Sequence, residues 1–369
     1  MLICPDSFKG SAPATEVAAH LAGGWRDERP DDDIVEFPLA DGGEGTLDAI
    51  LHAVPGAEEI SVPEPVADPL GRPGPGRWVR LGDTALVELA DSCGLQQIDR
   101  PDARTARDAR SDGLATIIRH AWASSVSSLV LAIGGSASTD GGLGVLRGLG
   151  LSAIDADRRP LRGGGGDLHR ITELDVSALS APTPVLVLTD VTAPLYGPSG
   201  AAQVFGPQKG AGPNTVADLD AGLRHWAGLW TALGRPPELA EQPGAGAAGG
   251  IGFGLSAGLG ARLSPGAAWL FERTGLAREL ARADVLITGE GAFDAQSLTG
   301  KVVGQVLRMA GPARRWVVAG RADQQVSVDA RVLSLSDLAG GPESEMADPR
   351  RWLRAAGRQV ASEARSGLR

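Results

Sequence analysis

Apolar residues recur along this chain in short, nearly unbroken runs rather than in strict alternation. Eight runs read as strands, at 2–4, 34–37, 85–89, 129–133, 185–189, 284–288, 316–319 and 331–335. Continuous apolar runs of this length are expected where both faces of a sheet are covered. Between them lie stretches with helical spacing. The first ends near Trp25, with Ser11 as a candidate cap and Pro13 and Glu16 in its opening turn. Others fall at 44–53, 111–123, 141–149, 214–233, 266–281, 300–310 and 349–365. Alternation of strand and helix predicts an α/β class with largely parallel sheets.

Polar segments, four of them containing glycine, follow five of the strands: PDSFKG, DGGEGT, GGSASTDGG, TDVTAPL and TGEGAFD. In open α/β sheets ligands bind beyond the carboxyl ends of the strands, so these loops are the expected place for chemistry. Two other segments are rich in glycine. RGGGGD at 162–167 reads as a flexible loop. PGAGAAGGIGFGL contains a GxGxxG match at Gly244, Gly246 and Gly249, but neither a preceding strand nor a suitably spaced acidic residue supports a dinucleotide site, and close packing is the better reading. Lys301 is followed by Val302 and not by Ser or Thr, so a P-loop also fails.

Composition narrows the classes. The 369 residues suggest about two domains. A net charge of −10 argues against a nucleic-acid or anionic-membrane surface. There is no apolar run long enough to span a bilayer and no leader-like start, and the two cysteines, Cys4 and Cys93, fit a reduced cytoplasm. Charge is carried by arginine almost throughout. The three lysines, Lys9, Lys209 and Lys301, each stand beside a glycine, in SFKG, PQKG and TGKV. A compact ammonium next to close-approaching backbone suits phosphate.

The polar loops combine carboxylates, glycines and single lysines. Asp6, Ser7 and Lys9 share one turn, Asp41 and Glu44 flank two glycines, and Ser136 and Asp140 lie among four. Asp190 closes a strand, and Glu290 and Asp294 flank Gly291. Carboxylates with phosphate oxygens hold Mg²⁺, glycine opens backbone N–H groups to anions, and lysine neutralises phosphate, a set suited to phosphoryl transfer. Ser7, Ser136 and Asp41 would serve equally as helix caps. The five histidines lie mostly in helical patterns and read as surface or packing residues, Tyr196 as packing, which leaves no Ser–His, Cys–His or zinc arrangement.

The segments CPDSFKGS, PLADGGEGT, ADPLGRP, AIGGSASTDGG, DVTAPLYGPSGAAQVFGPQKGA, PGAGAAGGIGFGL and DVLITGEGAFDAQSLTGK, in this order, closely resemble the bacterial glycerate kinase family. The resemblance covers most of the chain and includes all three lysines. It implies ATP- and Mg²⁺-dependent phosphorylation of D-glycerate to 2-phosphoglycerate, with 3-phosphoglycerate as the other product. It also implies a flavodoxin-like α/β domain built from residues 1–74 and 284–369, with a second α/β domain, 75–283, inserted in it. Carried onto this chain, it gives Lys9, Asp190 and Asp41 catalytic roles, with Asp190 as general base. Asp6, Ser7, Asp68, Arg72, Ser136 and Asp140 would contact substrate, Arg72 gripping the glycerate carboxylate bidentately. Lys209, Gly289, Glu290, Gly291, Ser297 and Lys301 would hold nucleotide or phosphate, and Glu44 and Asp294 the metal. Partners would be small molecules, glycerate and ATP, with neither nucleic acid nor membrane, and a homodimer is admitted. The likeness is loosest in RSDGLATII, where Ser111 and Gly113 keep the family pattern, Asp112, Leu114, Ala115 and Thr116 depart from it, and Arg104, Arg107 and Arg110 add charge. Two alternatives stay open there: a kinase of another small hydroxy or sugar acid, and a non-catalytic nucleotide- or acid-binding protein on the same scaffold.

Overall fold

A computed structural model describes residues 1–299, 301–323 and 325–366. Gly300, in the last of the motifs, lies outside the described residues. Thirteen strands are present among them. They are β1 (Leu2–Ile3), β2 (Val35–Glu36), β3 (Ala57–Ala67), β4 (Pro73–Leu81), β5 (Thr84–Glu88), β6 (Ser128–Ala132), β7 (Ser152–Ile154), β8 (Glu173–Asp175), β9 (Val185–Leu188), β10 (Arg262–Ser264), β11 (Val285–Phe293), β12 (Arg314–Ala322) and β13 (Arg331–Ser334). The chain divides into two units. One comprises Met1–Asp41, Asp48–Pro55 and the chain from Ala267; the other comprises Gly42–Leu47 and Gly56–Gly266.

The sheet of the first unit runs β13-β12-β11-β1-β2, every neighbouring pair parallel. Counted within this unit, the order is 2-1-3-4-5, that of a flavodoxin-like doubly wound sheet, and both ends of the chain build it. One face is covered by the helices Ala14–Glu28 and Pro349–Ser366, which bury Val17, Leu21 and Trp25 with Leu353, Ala356 and Val360 against Ile3, Ile287, Trp316 and Val318. The other face packs Phe293, Val303, Leu307, Val317 and Ala319. Burial on both faces is why these strands carry no polar alternation. The first helix is not capped by Ser11, as its sequence suggests. Pro13 holds the cap position with its fixed φ of −66°, and Ser11 Oγ donates instead to the Phe8 carbonyl at 3.1 Å.

The sheet of the second unit runs β10-β9-β6-β5-β4-β3. Strands β10, β9, β6 and β5 are parallel, and β4 and β3 extend the sheet as an antiparallel hairpin. The apolar runs of the sequence miss that hairpin. β3 reads AEEISVPEPVA, polar and twice interrupted by proline, which only an edge strand tolerates; its register shifts between Val62 and Val66, where the prolines stand. The hairpin corrects the expected boundary, because 57–74 pairs into the second unit. The helices Gly266–Thr274, from Ala267 on, and Leu276–Arg282 correct the other boundary, since they cluster with the first unit and not with residues up to 283.

Neither glycine-rich segment is a loose loop. Residues 162–167 lead into a 3₁₀ turn, Gly165–Arg170, seated so closely that a Cβ on Gly165 would lie 2.5 Å from the Thr139 carbonyl oxygen. The helix Ala247–Leu259 opens with three left-handed residues, Ala248, Gly249 and Gly250. At Gly249, φ is +67° and a Cβ would stand 2.1 Å from the Ser138 carbonyl oxygen. The glycines of that motif therefore let a helix start lie directly on the 134–142 loop, the close-packing role read from the sequence.

Candidate active site

In the first unit the strand order reverses between β1 and β11, so the connections after these two strands leave in opposite directions and open a crevice at the strands' carboxyl ends. The ladder continues beyond β1: Cys4 N donates to Ile287 O and Asp6 N to Gly289 O, both at 2.8 Å, while on the other side Leu39 N donates to Pro5 O at 2.9 Å. These bonds fix Asp6 at the reversal. The next residues fold into a tight turn in which Phe8 N donates to Ala12 O at 2.9 Å and Ser11 N to Phe8 O at 2.8 Å. The turn buries Phe8 and leaves Lys9 exposed at its tip. Gly291 faces this turn, its Cβ position only 3.4 Å from Lys9 N and Phe8 Cα.

Glu290, at the end of β11, is 7% exposed. Its Oε2 lies 3.9 Å from Lys301 Nζ, and its buried Oε1 has no hydrogen-bond partner among the described residues. Burial pushes its carboxyl above the usual glutamate range, against the opposing pull of a Ser297 hydrogen bond and the Lys301 and Lys9 charges. Asp6 is displaced further, to about 8, by burial first and by the Asp41 charge second; Ser7 N, which donates to its Oδ1 at 2.7 Å, and Lys9 pull the other way, and Glu290 adds repulsion. The fold thus gathers Asp6, Ser7, Lys9, Asp41, Gly289, Glu290, Gly291, Ser297 and Lys301 around one sheet edge. Asp294 is beside them as a helix cap, its Oδ1 accepting from Gln296 N at 2.8 Å and Ser297 N at 3.2 Å.

This crowding sets a pH dependence. Folded, Asp6 keeps its proton up to about pH 8; its ordinary value is 3.8. The folded state therefore binds more protons across that window. The group's contribution to stability is complete below the ordinary value and is lost as pH rises through 8. Thermal unfolding in chelator should show wild type losing stability relative to Asp6→Asn between about pH 4 and pH 8. Parallel profiles for the two proteins would refute the upward shift of Asp6.

In the second unit the 134–142 loop is built around Asp140, which is 0% exposed. Its Oδ2 accepts from Ser111 N (3.0 Å), Ser111 Oγ (2.6 Å) and Gly144 N (3.1 Å), and its Oδ1 from Ser138 Oγ and Gly142 N (both 3.1 Å). Ser136 is buried too, its Oγ accepting from Ser138 N at 3.1 Å. Lys209, 3% exposed, donates to Ser138 O at 2.5 Å, and burial lowers its ammonium to about 8 although the Asp140 charge opposes this. Asp140, Ser136 and Lys209 therefore hold one another and the loop. They do not present the open substrate and phosphate contacts expected of them, because every polar atom in such a buried position must be satisfied internally.

Two further expectations are altered. Arg72 donates its Nε to the Asp68 carboxylate and its Nη2 to Gln97 O at 2.8 Å, while Asp68 Oδ1 accepts from Leu70 N and Arg72 N, both at 2.8 Å. The guanidinium closes its own turn, and a bidentate grip on a carboxylate would require breaking that pairing. Glu44 is exposed, and a different carboxylate holds its loop: buried Glu88 accepts from Gly45 N at 2.9 Å and Leu47 N at 3.0 Å. Asp190 accepts from Gly266 N at 2.9 Å and lines a cavity of about 610 Å³ with Thr189, Thr192, Gln242, Arg262 and Ser264. Sequence reasoning does not mark Ser111, Ser138 or Glu88 as site residues. The only signal for Glu88 is an acid at the end of an otherwise apolar strand. Cys4 and Cys93 are buried free thiols, burial pushing Cys93 up to about 12 and Cys4 higher, so neither is a nucleophile. Among the described residues no three His, Cys, Asp or Glu side chains form a ready-made metal site, and no helix is long and apolar enough to cross a membrane.

Comparison with known proteins places the chain in a family. Residues 1–365 match the model of the glycerate kinase family. The chain is 39% identical over 326 residues to a glycerate kinase of Haemophilus influenzae, covering 86% of this chain and 84% of that one. It is 38% identical over 307 residues to a glycerate 2-kinase of Escherichia coli, covering 82% and 79%. A crystal structure provisionally called glycerate kinase 2, from Salmonella typhimurium LT2, superposes with a TM-score of 0.76 at 33% identity, covering 99% of this chain and 98% of that one.

Proposed function

Because the chain belongs to the glycerate kinase family, and is a kinase, we propose that it transfers the γ-phosphoryl group of ATP, with Mg²⁺, to D-glycerate, giving 2-phosphoglycerate. The observation that carries this reading is the group at the β1–β11 reversal, where Asp6, Asp41 and Glu290 stand with Lys9 and Lys301. Phosphoryl transfer is catalysed by positioning and charge stabilisation, and these are the charges it uses.

Mg²⁺ fits the residues present. The buried Glu290 Oε1 has no partner among the described residues, and Asp6 is driven towards its neutral form by burial and by the acids around it. A cation beside Asp6 and Glu290 would relieve both, with phosphate oxygens and water completing its shell. When bound, it supplies charge neutralisation on the phosphates. Lys9 and Lys301 extend from the protein side over the same region and neutralise transferring and leaving oxygens, while the backbone at Gly289 and Gly291 allows close approach. Asp190 accepts from Gly266 N through one oxygen, and the family resemblance makes it the candidate general base. The altered 111–116 stretch has a structural role. Leu114 and Ala115 are core residues, and Ser111 supplies two of the donors to Asp140.

Phosphorus NMR of the purified protein with ATP, Mg²⁺ and D-glycerate tests the reading, since the phosphoglycerate signal also distinguishes the two hydroxyls. A 2-phosphoglycerate resonance is expected. Turnover only with other hydroxy acids would move the substrate, and nucleotide binding without turnover on any acid would reject the reaction.

A further inference from the structure

One arginine of the divergent 104–116 stretch, Arg110, meets Arg147 of the second unit, although the protein carries a net charge of −10. Arg110 Nη1 and Arg147 Nη1 both donate to a single acceptor, the carbonyl of Arg162, at 3.3 and 2.8 Å. The counter-charge is thin. Arg110 Nε is 3.3 Å from Asp112 Oδ2, while the side chains of Arg147 and Arg162 form no ion pair among the described residues. Asp112 is itself held towards its neutral form, by burial first and with the nearby Asp140 charge adding to it, against the opposing Arg110 and Arg147 charges. Another nearby acid, Asp167, is taken by Arg170 Nη1 at 2.9 Å and Gly163 N at 3.2 Å.

Backbone geometry keeps the cations together. Gly163 has φ of +99°, and a Cβ there would lie 3.3 Å from Arg147 Nη1 and 3.4 Å from Arg110 Cδ. A left-handed glycine is thus what lets the Arg162 carbonyl sit between two guanidiniums. Each guanidinium carries five N–H donors in a planar fork, and in Arg147 only one is engaged by the described residues. Two such forks meeting at one neutral oxygen repel each other, and a doubly charged tetrahedral oxyanion would satisfy both at once.

We propose that Arg110 and Arg147, meeting at the Arg162 carbonyl, form a binding site for a phosphate-type dianion, either inorganic phosphate or the phosphate group of a small monoester. The site rests on residues of the second unit alone and does not depend on the reaction proposed above.

The test uses the full chain, with thermal unfolding and titration calorimetry at constant ionic strength, and inorganic phosphate, 2-phosphoglycerate and chloride as probes. Wild type is expected to show saturable stabilisation by phosphate beyond chloride. Arg147→Gln and, independently, Arg110→Gln each weaken binding by about tenfold, and Arg147→Lys restores little because it lacks the fork. Lys9→Ala retains the binding, which separates this site from the reaction centre. Equal affinity for phosphate and the ester assigns recognition to the phosphate group alone; tighter binding of the ester assigns it to a monoester ligand. Stabilisation no greater than that by chloride, unchanged affinity in both Gln variants, or loss of binding in Lys9→Ala alone would overturn the proposal.

Discussion

Lys9→Ala lowers kcat on glycerate by about 10²- to 10³-fold, the usual loss when one pre-placed group stabilising transition-state charge is removed. The lysine sits at the exposed tip of a turn whose shape is set by the Phe8–Ala12 backbone bonds and buried Phe8. The substitution therefore leaves the backbone bonds that shape the turn in place, and the variant is expected to stay folded. Lys9→Arg keeps the charge but replaces a compact ammonium with a planar fork beside the close backbone of Gly291, and recovers only part of the rate. Steady-state kinetics with both substrates varied would check this. A kcat within about threefold of wild type would remove Lys9 from the reaction centre.

Asp140→Ala acts on stability first. It deletes the acceptor for Ser111 N and Oγ, Ser138 Oγ, Gly142 N and Gly144 N, all within a fully buried pocket. It also removes the charge that offsets the buried Lys209 ammonium. Breaking a buried charged network of this kind costs about 3–5 kcal/mol, because donors and a cation are left without partners. Asp140→Asn keeps the volume and one acceptor oxygen and costs less. Urea unfolding measures both. If Asp140 contacted substrate instead, the Ala variant would unfold at the wild-type midpoint and its defect would appear in KM for glycerate.

Much of the architecture is legible in the order of apolar residues. All eight apolar runs coincide with strands, because strands covered on both faces must be continuously apolar, a local property. The hairpin β3–β4 is not legible in this way. An edge strand carries Glu58, Glu59, Pro63 and Pro65, and a segment so composed looks like a linker until its partner strand is known. The same hairpin displaces the first domain boundary from its expected place.

Within the candidate site the same division holds. Spacing and residue type mark Asp6, Lys9, Glu290 and Lys301 as candidates, and the fold brings these four near one another. The same signal marks Asp140, Lys209 and Arg72, which the fold uses to hold itself together.

From its sequence alone, then, this chain reveals its α/β class, the order of its functional loops and its family likeness, all of which rest on local pattern. Tertiary structure decides which charged groups face outward and which are enclosed. That choice depends on partners far along the chain, such as Ser111 for Asp140 and Ser138 for Lys209. Only the folded chain brings together the groups that fix each side chain's burial and charge.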